Sequence, residues 1–288
     1  MNSASVDVHE LIAWDLDDYS WRSSAISENG QTFERQVEQA RRRLSERDPH
    51  AVTTAVLARE TEEVRHLWAA LMKRADLHNE YEGLDWTLGV VDLRFLLAFQ
   101  RRLIFDPTQA VPPIPRQNDW PGLVSLAMGP PRSTAYRLSH QEEAGIMSIR
   151  LDSGNPDLQL HLNPKVKNDN IFPFSLYGGS PFVEVAELYG RWFLRDGYHR
   201  AYYFLRAGVH RIPAVIIRAQ TIEELGATSP WFFGKEELFS ERPPRLVDFV
   251  DEAMTVRYKR AAFRKTIRIR VEETLEPIAE TETQGESL

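Results

Sequence analysis

Asp196, Gly197, Tyr198, His199 and Arg200 stand in one unbroken run, and together they could bind an anion and move a proton. Gly197 allows a sharp turn between a strand-like stretch ending near Arg195 and a helix-like stretch beginning near His199. The first amides of such a helix point outward, beside the positive end of its dipole, which makes a ready anion site. Cations are unfavourable for helix stability at that end, so His199 and Arg200 there point to a visiting anion. Arg200 would be a forked donor to phosphate or carboxylate, and His199 a neutral or charged hydrogen-bond partner. Asp196 has three readings: general base, holder of a metal-bound water, or helix cap. Catalysis would therefore fall to Asp196 and His199, and phosphate contacts to Gly197, Tyr198, His199 and Arg200. Tyr198 and Tyr202 share one helix face and could stack on a base, although semi-buried packing is the commoner fate of such a pair.

The elements that position this run can be read from periodicity. SPFVEVAELYGRWFLRDG predicts a hairpin turning at Tyr189-Gly190. HRAYYFLRAG predicts a short helix with Ala201, Phe204 and Leu205 inward and Gly208 closing its C-terminus, and IPAVIIRA predicts a fully buried strand. Upstream, GIMSIRLDSGNPDLQLHLNP predicts another hairpin about a Ser-Gly-Asn-Pro turn. The first hundred residues read as helical, in GQTFERQVEQARRRLSERD, in AVTTAVLARETEEVRHLWAALMKRADL, and in LGVVDLRFLLAFQRRLIFD, which is apolar around much of its circumference. Seven of the chain's 17 prolines fall between Asp106 and Arg132, marking a connector whose Trp120, Leu123, Val124 and Leu126 can pack down onto a neighbour. PPRLVDFVDEAMTVRYKR predicts an amphipathic helix and KTIRIRVEE an alternating strand.

DGYHR, a helix ending in RAG and a strand beginning IPAVII together are similar to the signature of the ParB/sulfiredoxin superfamily, over Pro181 to Arg218. The resemblance implies that His199 and Arg200 lie beside nucleotide phosphates, with backbone help from Gly197 and Tyr198. It also implies a nucleotide ligand, ATP, ADP or CTP, which would carry Mg²⁺ with it. Sulfiredoxins place their catalytic cysteine where Tyr198 stands, and this chain has no cysteine, so that reaction is excluded. ParB proteins carry an arginine-rich box and a helix-turn-helix domain, which the chain downstream to Glu276 is too short and too strand-like to supply. The free-serine kinase form is nearest at the turn. Its separate catalytic glutamate has only Glu184 and Glu187 as candidates by proximity, with a solvent-facing role expected for each.

The chain of 288 residues is ordinary in composition, with 42% hydrophobic and 27% charged residues. No apolar run approaches the length needed to cross a bilayer, and the N-terminus has no secretory pattern, so a cytoplasmic location is expected. The net charge of -7 argues against a general nucleic-acid coat but not against a local basic face. The run VRYKRAAFRKTIRIR could track a nucleic-acid backbone through Arg257, Lys259, Arg260, Arg264, Lys265 and Arg268, although a solvated face is the commoner reading. SPWFFGKEELF is too aromatic for a solvent loop. No metal-ligand motif, P-loop or dinucleotide fingerprint occurs, so no protein-ligated metal is expected.

The expected architecture is α+β. A helical domain spans 1–105, a Pro-rich connector 106–132 and a ParB/sulfiredoxin-like domain 133–225. A helix-and-strand extension follows over 226–275, then a disordered acidic tail over 276–288. The expected function is nucleotide or other phosphate binding at the turn, with phosphoryl transfer or hydrolysis as its chemistry. The alternative is a non-enzymatic DNA- or protein-binding module in which the turn is structural or senses a ligand.

Overall fold

Helices and mixed sheets interleave along the chain, which is α+β. The computed structural model describes residues 5–14, 33–51, 56–57, 62–107, 110–129, 136–143, 146–153, 159–162, 174–177, 179–228, 232–262 and 265–271. The acidic tail and Arg264 lie outside the described residues. The chain divides into two compact units, Met1–Pro131 with Ser180–Ala262, and Arg132–Gly179 with Phe263–Leu288. The first break, after Pro131, falls at the end of the Pro-rich stretch, while those after Gly179 and Ala262 lie where no boundary was expected. The second unit is inserted in the first, and its larger sheet is completed by the last described strand, Lys265–Val271.

In the first unit the chain runs β1 (Ser5–Leu11), α1 (Phe33–Ser45), β2 (Val56–Leu57), α2 (Glu62–Leu71), α3 (Ala75–Glu80), β3 (Trp86–Asp92), β4 (Leu97–Ala98), β5 (Arg102–Phe105) and α4 (Trp120–Ala127). The second unit then contributes β6 (Arg137–Glu143), β7 (Ile146–Ser153), β8 (Gln159–Leu162) and β9 (Phe174–Tyr177). The first unit resumes with β10 (Glu184–Leu188), β11 (Arg191–Asp196), α5 (Tyr198–Arg206), β12 (Arg211–Arg218), α6 (Ile222–Leu225), α7 (Lys235–Leu238) and β13 (Thr255–Ala261). Strand β14 (Lys265–Val271) returns to the second.

The central sheet of the first unit has the order β2-β3-β12-β10-β11-β4, and a smaller antiparallel sheet has the order β13-β1-β5. The expected hairpin is β10–β11, and both residues of its two-residue turn have positive φ, 53° at Tyr189 and 77° at Gly190. That is the twist a tight hairpin needs. Strand β12 runs parallel to β10 and antiparallel to β3, so it is flanked on both edges and buried from Ile212 to Ile217. Burial of each large aliphatic side chain there contributes about 1.5–3 kcal/mol. Trp120 and Leu123 of α4 pack down as expected, with Asp119 accepting a hydrogen bond from Gly122 at the helix start.

Several expected helices are absent. LGVVDLRFLLAFQRRLIFD forms β3, a short 3-10 turn, β4 and β5 instead. An apolar run buried on both faces has no periodicity to separate helix from strand, and here the open edge of β12 takes it as a strand. The helix expected over PPRLVDFVDEAMTVRYKR is a 3-10 turn, Leu246–Val250, followed by β13. Asp251 breaks it by accepting a hydrogen bond from the Ala253 amide, and β13 pairs with β1 over seven residues. Of the helix expected after Pro49, the described part consists of β2, α2 and α3. The described part of 1–105 is thus not all helical, because β1, β3 and β5 belong to sheets completed from downstream. In the second unit β7 pairs with β6 and β14, and β8 pairs with β9. Among the described residues β7 and β8 do not pair as the expected hairpin would have them, since both edges of β7 are taken.

Candidate functional site at the strand-to-helix turn

The turn is set by Gly197. Its φ of +90° is left-handed backbone, and a Cβ placed there would lie 2.9 Å from Val183 Cγ2 and 3.1 Å from Val183 Cα. Only glycine meets both demands. Helix α5 begins at the next residue and ends in a paired cap, with the Val209 amide donating to the Phe204 carbonyl and the Gly208 amide to the Leu205 carbonyl. Ala201 and Phe204 are fully buried, as the periodicity predicts.

The side chains of the turn point to internal partners. The Asp196 carboxylate accepts from the Gly197 amide, and Asp196 sits opposite Glu184 across the β10–β11 ladder. The Tyr198 ring is buried, edge-on to Phe99, and its hydroxyl accepts from the Phe99 amide at 2.9 Å. Burial pushes that phenol well above its ordinary pKa. His199 is exposed, but its Nε2 donates to the Ile104 carbonyl at 2.8 Å and its ring meets Phe105 edge-on. The acceptor fixes the tautomer.

Arg200 is the most committed of the four. Its guanidinium donates to the carbonyls of Ala127 at 3.1 Å and Phe182 at 2.7 Å, and also to Leu126 and Pro181. Leu126 and Ala127 are the last residues of α4, where a cation satisfies orphan carbonyls and complements the dipole. Arg200 therefore ties the end of α4 to the segment that leads into β10.

These placements bear on the expected roles. Arg200 turns to backbone carbonyls, because the end of α4 lies within its reach. Tyr198 and Tyr202 offer no ring to a base: both are buried, and Tyr202 packs on Phe105, His9 and Tyr203. Asp196 bonds its neighbour's amide, whereas the residue at the cap position is Gly197, without a side-chain bond.

Glu184 is not solvent-facing. It is 1% exposed, accepts from the Tyr81 hydroxyl at 2.6 Å and pairs with Arg195. The Ser180 hydroxyl lies 3.5 Å from that of Tyr81. Desolvation and the Glu184 charge raise the Tyr81 pKa far above its ordinary value. Glu187 is half-buried and accepts from the Gly190 amide, closing the hairpin turn. Tyr81 follows α3 and carries no local motif, so only its hydrogen bond to Glu184 of β10 could reveal it.

His9 on β1 is the other group that gives no sequence signal. Its ring lies 4.7 Å from Phe105 and 5.3 Å from Tyr202, and its Nδ1 has no hydrogen-bond partner. Burial, followed by the charges of Arg257, Arg206 and His199 against the opposing Asp7, lowers its pKa to about 4.

No family model, curated protein or solved structure matches the chain. Among the described residues no cluster of three or more histidine or acidic side chains could hold a metal ion, and no described helix is long and apolar enough to cross a membrane. The basic run is divided between β13 in the first unit and β14 in the second. Arg257 pairs with Glu252 at 3.7 Å, and burial lowers the pKa of Arg260, while Lys259, Lys265 and Arg268 are exposed. Phe233, from the aromatic segment, is buried beneath Arg101 and beside Trp14, so this residue packs inward.

Proposed function

We propose that this protein is a non-enzymatic binding module, and that its DGYHR turn is a structural joint within a ParB/sulfiredoxin-like arrangement of hairpin, helix and strand. The observation that carries the reading is Arg200, whose guanidinium meets the carbonyls of Ala127 and Phe182 at 3.1 and 2.7 Å. A guanidinium spent in this way has little left for a ligand, and its loss would orphan buried carbonyls at a cost of about 1–3 kcal/mol. The order β10, β11, α5, β12 supports the resemblance in fold.

The test is a thermal-shift titration with ATP, ADP, CTP and GTP at millimolar concentration with Mg²⁺. No nucleotide should raise the unfolding midpoint of the wild type, and Arg200→Ala should lower that midpoint in the absence of any ligand. The reading fails if a nucleotide stabilises the wild type and Arg200→Ala removes that effect while leaving the ligand-free midpoint in place.

A second reading, nucleotide binding with phosphoryl transfer or hydrolysis, is favoured by Glu184. A carboxylate that is 1% exposed and opposite Asp196 supplies a second candidate general base for such a reaction. The same titration decides it, with ADP or ATP stabilisation as its required result.

A further inference from the structure

The solvent face of the β6-β7-β14 sheet combines residues that no stretch of sequence brings together. Register puts Arg150 opposite Ser139 on one side and Arg268 on the other. The next row is Arg137, Asp152 and Thr266, and the row beyond is Gln141, Ser148 and Arg270. Side chains opposite one another share a face, so four arginines lie on one side of three strands. The apolar partners Leu151, Ile149, Ile267 and Ile269 lie on the other.

Arg137, Arg150, Arg268 and Arg270 are all exposed. Arg150 engages Asp152 through Nε at 2.9 Å, while among the described residues no acid pairs with Arg137, Arg268 or Arg270. Arg150 and Arg268 face each other directly across the ladder, which costs stability unless an anion lies between them. In a chain of net charge -7, such a concentration of cations is local, not compositional.

We propose that this arginine face binds the phosphate backbone of double-stranded nucleic acid. The inference rests on the binding-module reading above and names its partner. All four cations are arginine, whose fork matches phosphate oxygens. Ser139, Gln141, Ser148 and Thr266 stand among them, and these side-chain types commonly contact phosphate. The face carries no aromatic residue, so it lacks the stacking platform that single strands require. Arg268 and Arg270, two residues apart on a strand and so about 6.7 Å apart, have a spacing suited to neighbouring phosphates.

The test is fluorescence anisotropy with the full chain and a labelled DNA duplex of about 20 base pairs, at several salt concentrations starting near 50 mM. Binding should weaken as salt rises, with a slope no steeper than about -3.6, the limit for four phosphate contacts. Arg268→Ala combined with Arg270→Ala should reduce affinity at least tenfold and make the slope shallower by about 1.8, with an unchanged circular dichroism spectrum and unfolding midpoint. The proposal is overturned by an absence of binding at low salt, by a double variant that binds as well as the wild type, or by tighter binding of the single strand or of polyglutamate. Failure of the duplex test without any nucleotide shift removes this surface and leaves the binding-module reading standing. A nucleotide shift abolished by Arg200→Ala removes that reading whatever the duplex does.

Discussion

At Gly197 two constraints coincide, a φ of +90° and a backbone contact with Val183 that leaves no room for a methyl group. Gly197→Ala should therefore cost about 2–4 kcal/mol, combining left-handed strain with overpacking, as measured by chemical denaturation. A loss below 1 kcal/mol would mean that the turn relaxes freely. His9 leads to a pH prediction. Its pKa is lowered to about 4, mainly by burial, so between that value and its ordinary 6.5 the unfolded chain takes up a proton that the folded chain refuses. The associated stability is complete above pH 6.5 and declines as the pH falls towards 4. Because the ring is only partly buried, screening limits the loss to about 1–2 kcal/mol. His9→Phe should flatten the stability profile across that window, and an unaltered profile would show that other groups govern it. At this scale glycine and the charged residues of the turn were legible in sequence. Their partners were not, because Arg200 reaches Ala127 and His199 reaches Ile104, both far away in the chain.

Among the elements, the segment from the β10–β11 hairpin through α5 to β12 was readable because its signals are local: a two-residue turn with positive φ, a helical period and a C-terminal glycine. Gly208 has a φ of +72° but open space where a side chain would go. Gly208→Ala should cost only about 1 kcal/mol, less than the same change at Gly197, and equal losses at the two positions would contradict the steric account. The elements that sequence misassigned, β3, β4, β5 and β13, share a reason. Each is apolar or mixed without a clear alternation, and each becomes a strand because another strand offers it an edge. Gly89 illustrates this, since a Cβ there would meet Ile216 Cδ1 on β12 at 2.4 Å.

For the whole molecule, charge is a matter of distribution. The total of -7 predicts little affinity for polyanions, yet strand register collects four arginines on one sheet face. Reversing that collection should matter more than reducing total charge: Arg268→Glu with Arg270→Glu should abolish duplex binding, while Lys259→Ala should leave it within about twofold, since Lys259 belongs to β13 in another sheet and not to the arginine face. Comparable losses from both changes would point to net charge rather than to this face. The sequence by itself determined the α+β character, the helix and buried strand after DGYHR, and the exclusion of cysteine chemistry, because these depend on composition and on neighbours within a few residues. Tertiary structure decided that Arg200 serves backbone carbonyls, that Glu184 is buried with Tyr81 and Arg195, and that arginines from three strands share one face. Those outcomes depend on which distant edges and helix ends meet, and hydrogen-bond satisfaction and strand register at those meetings have no local code.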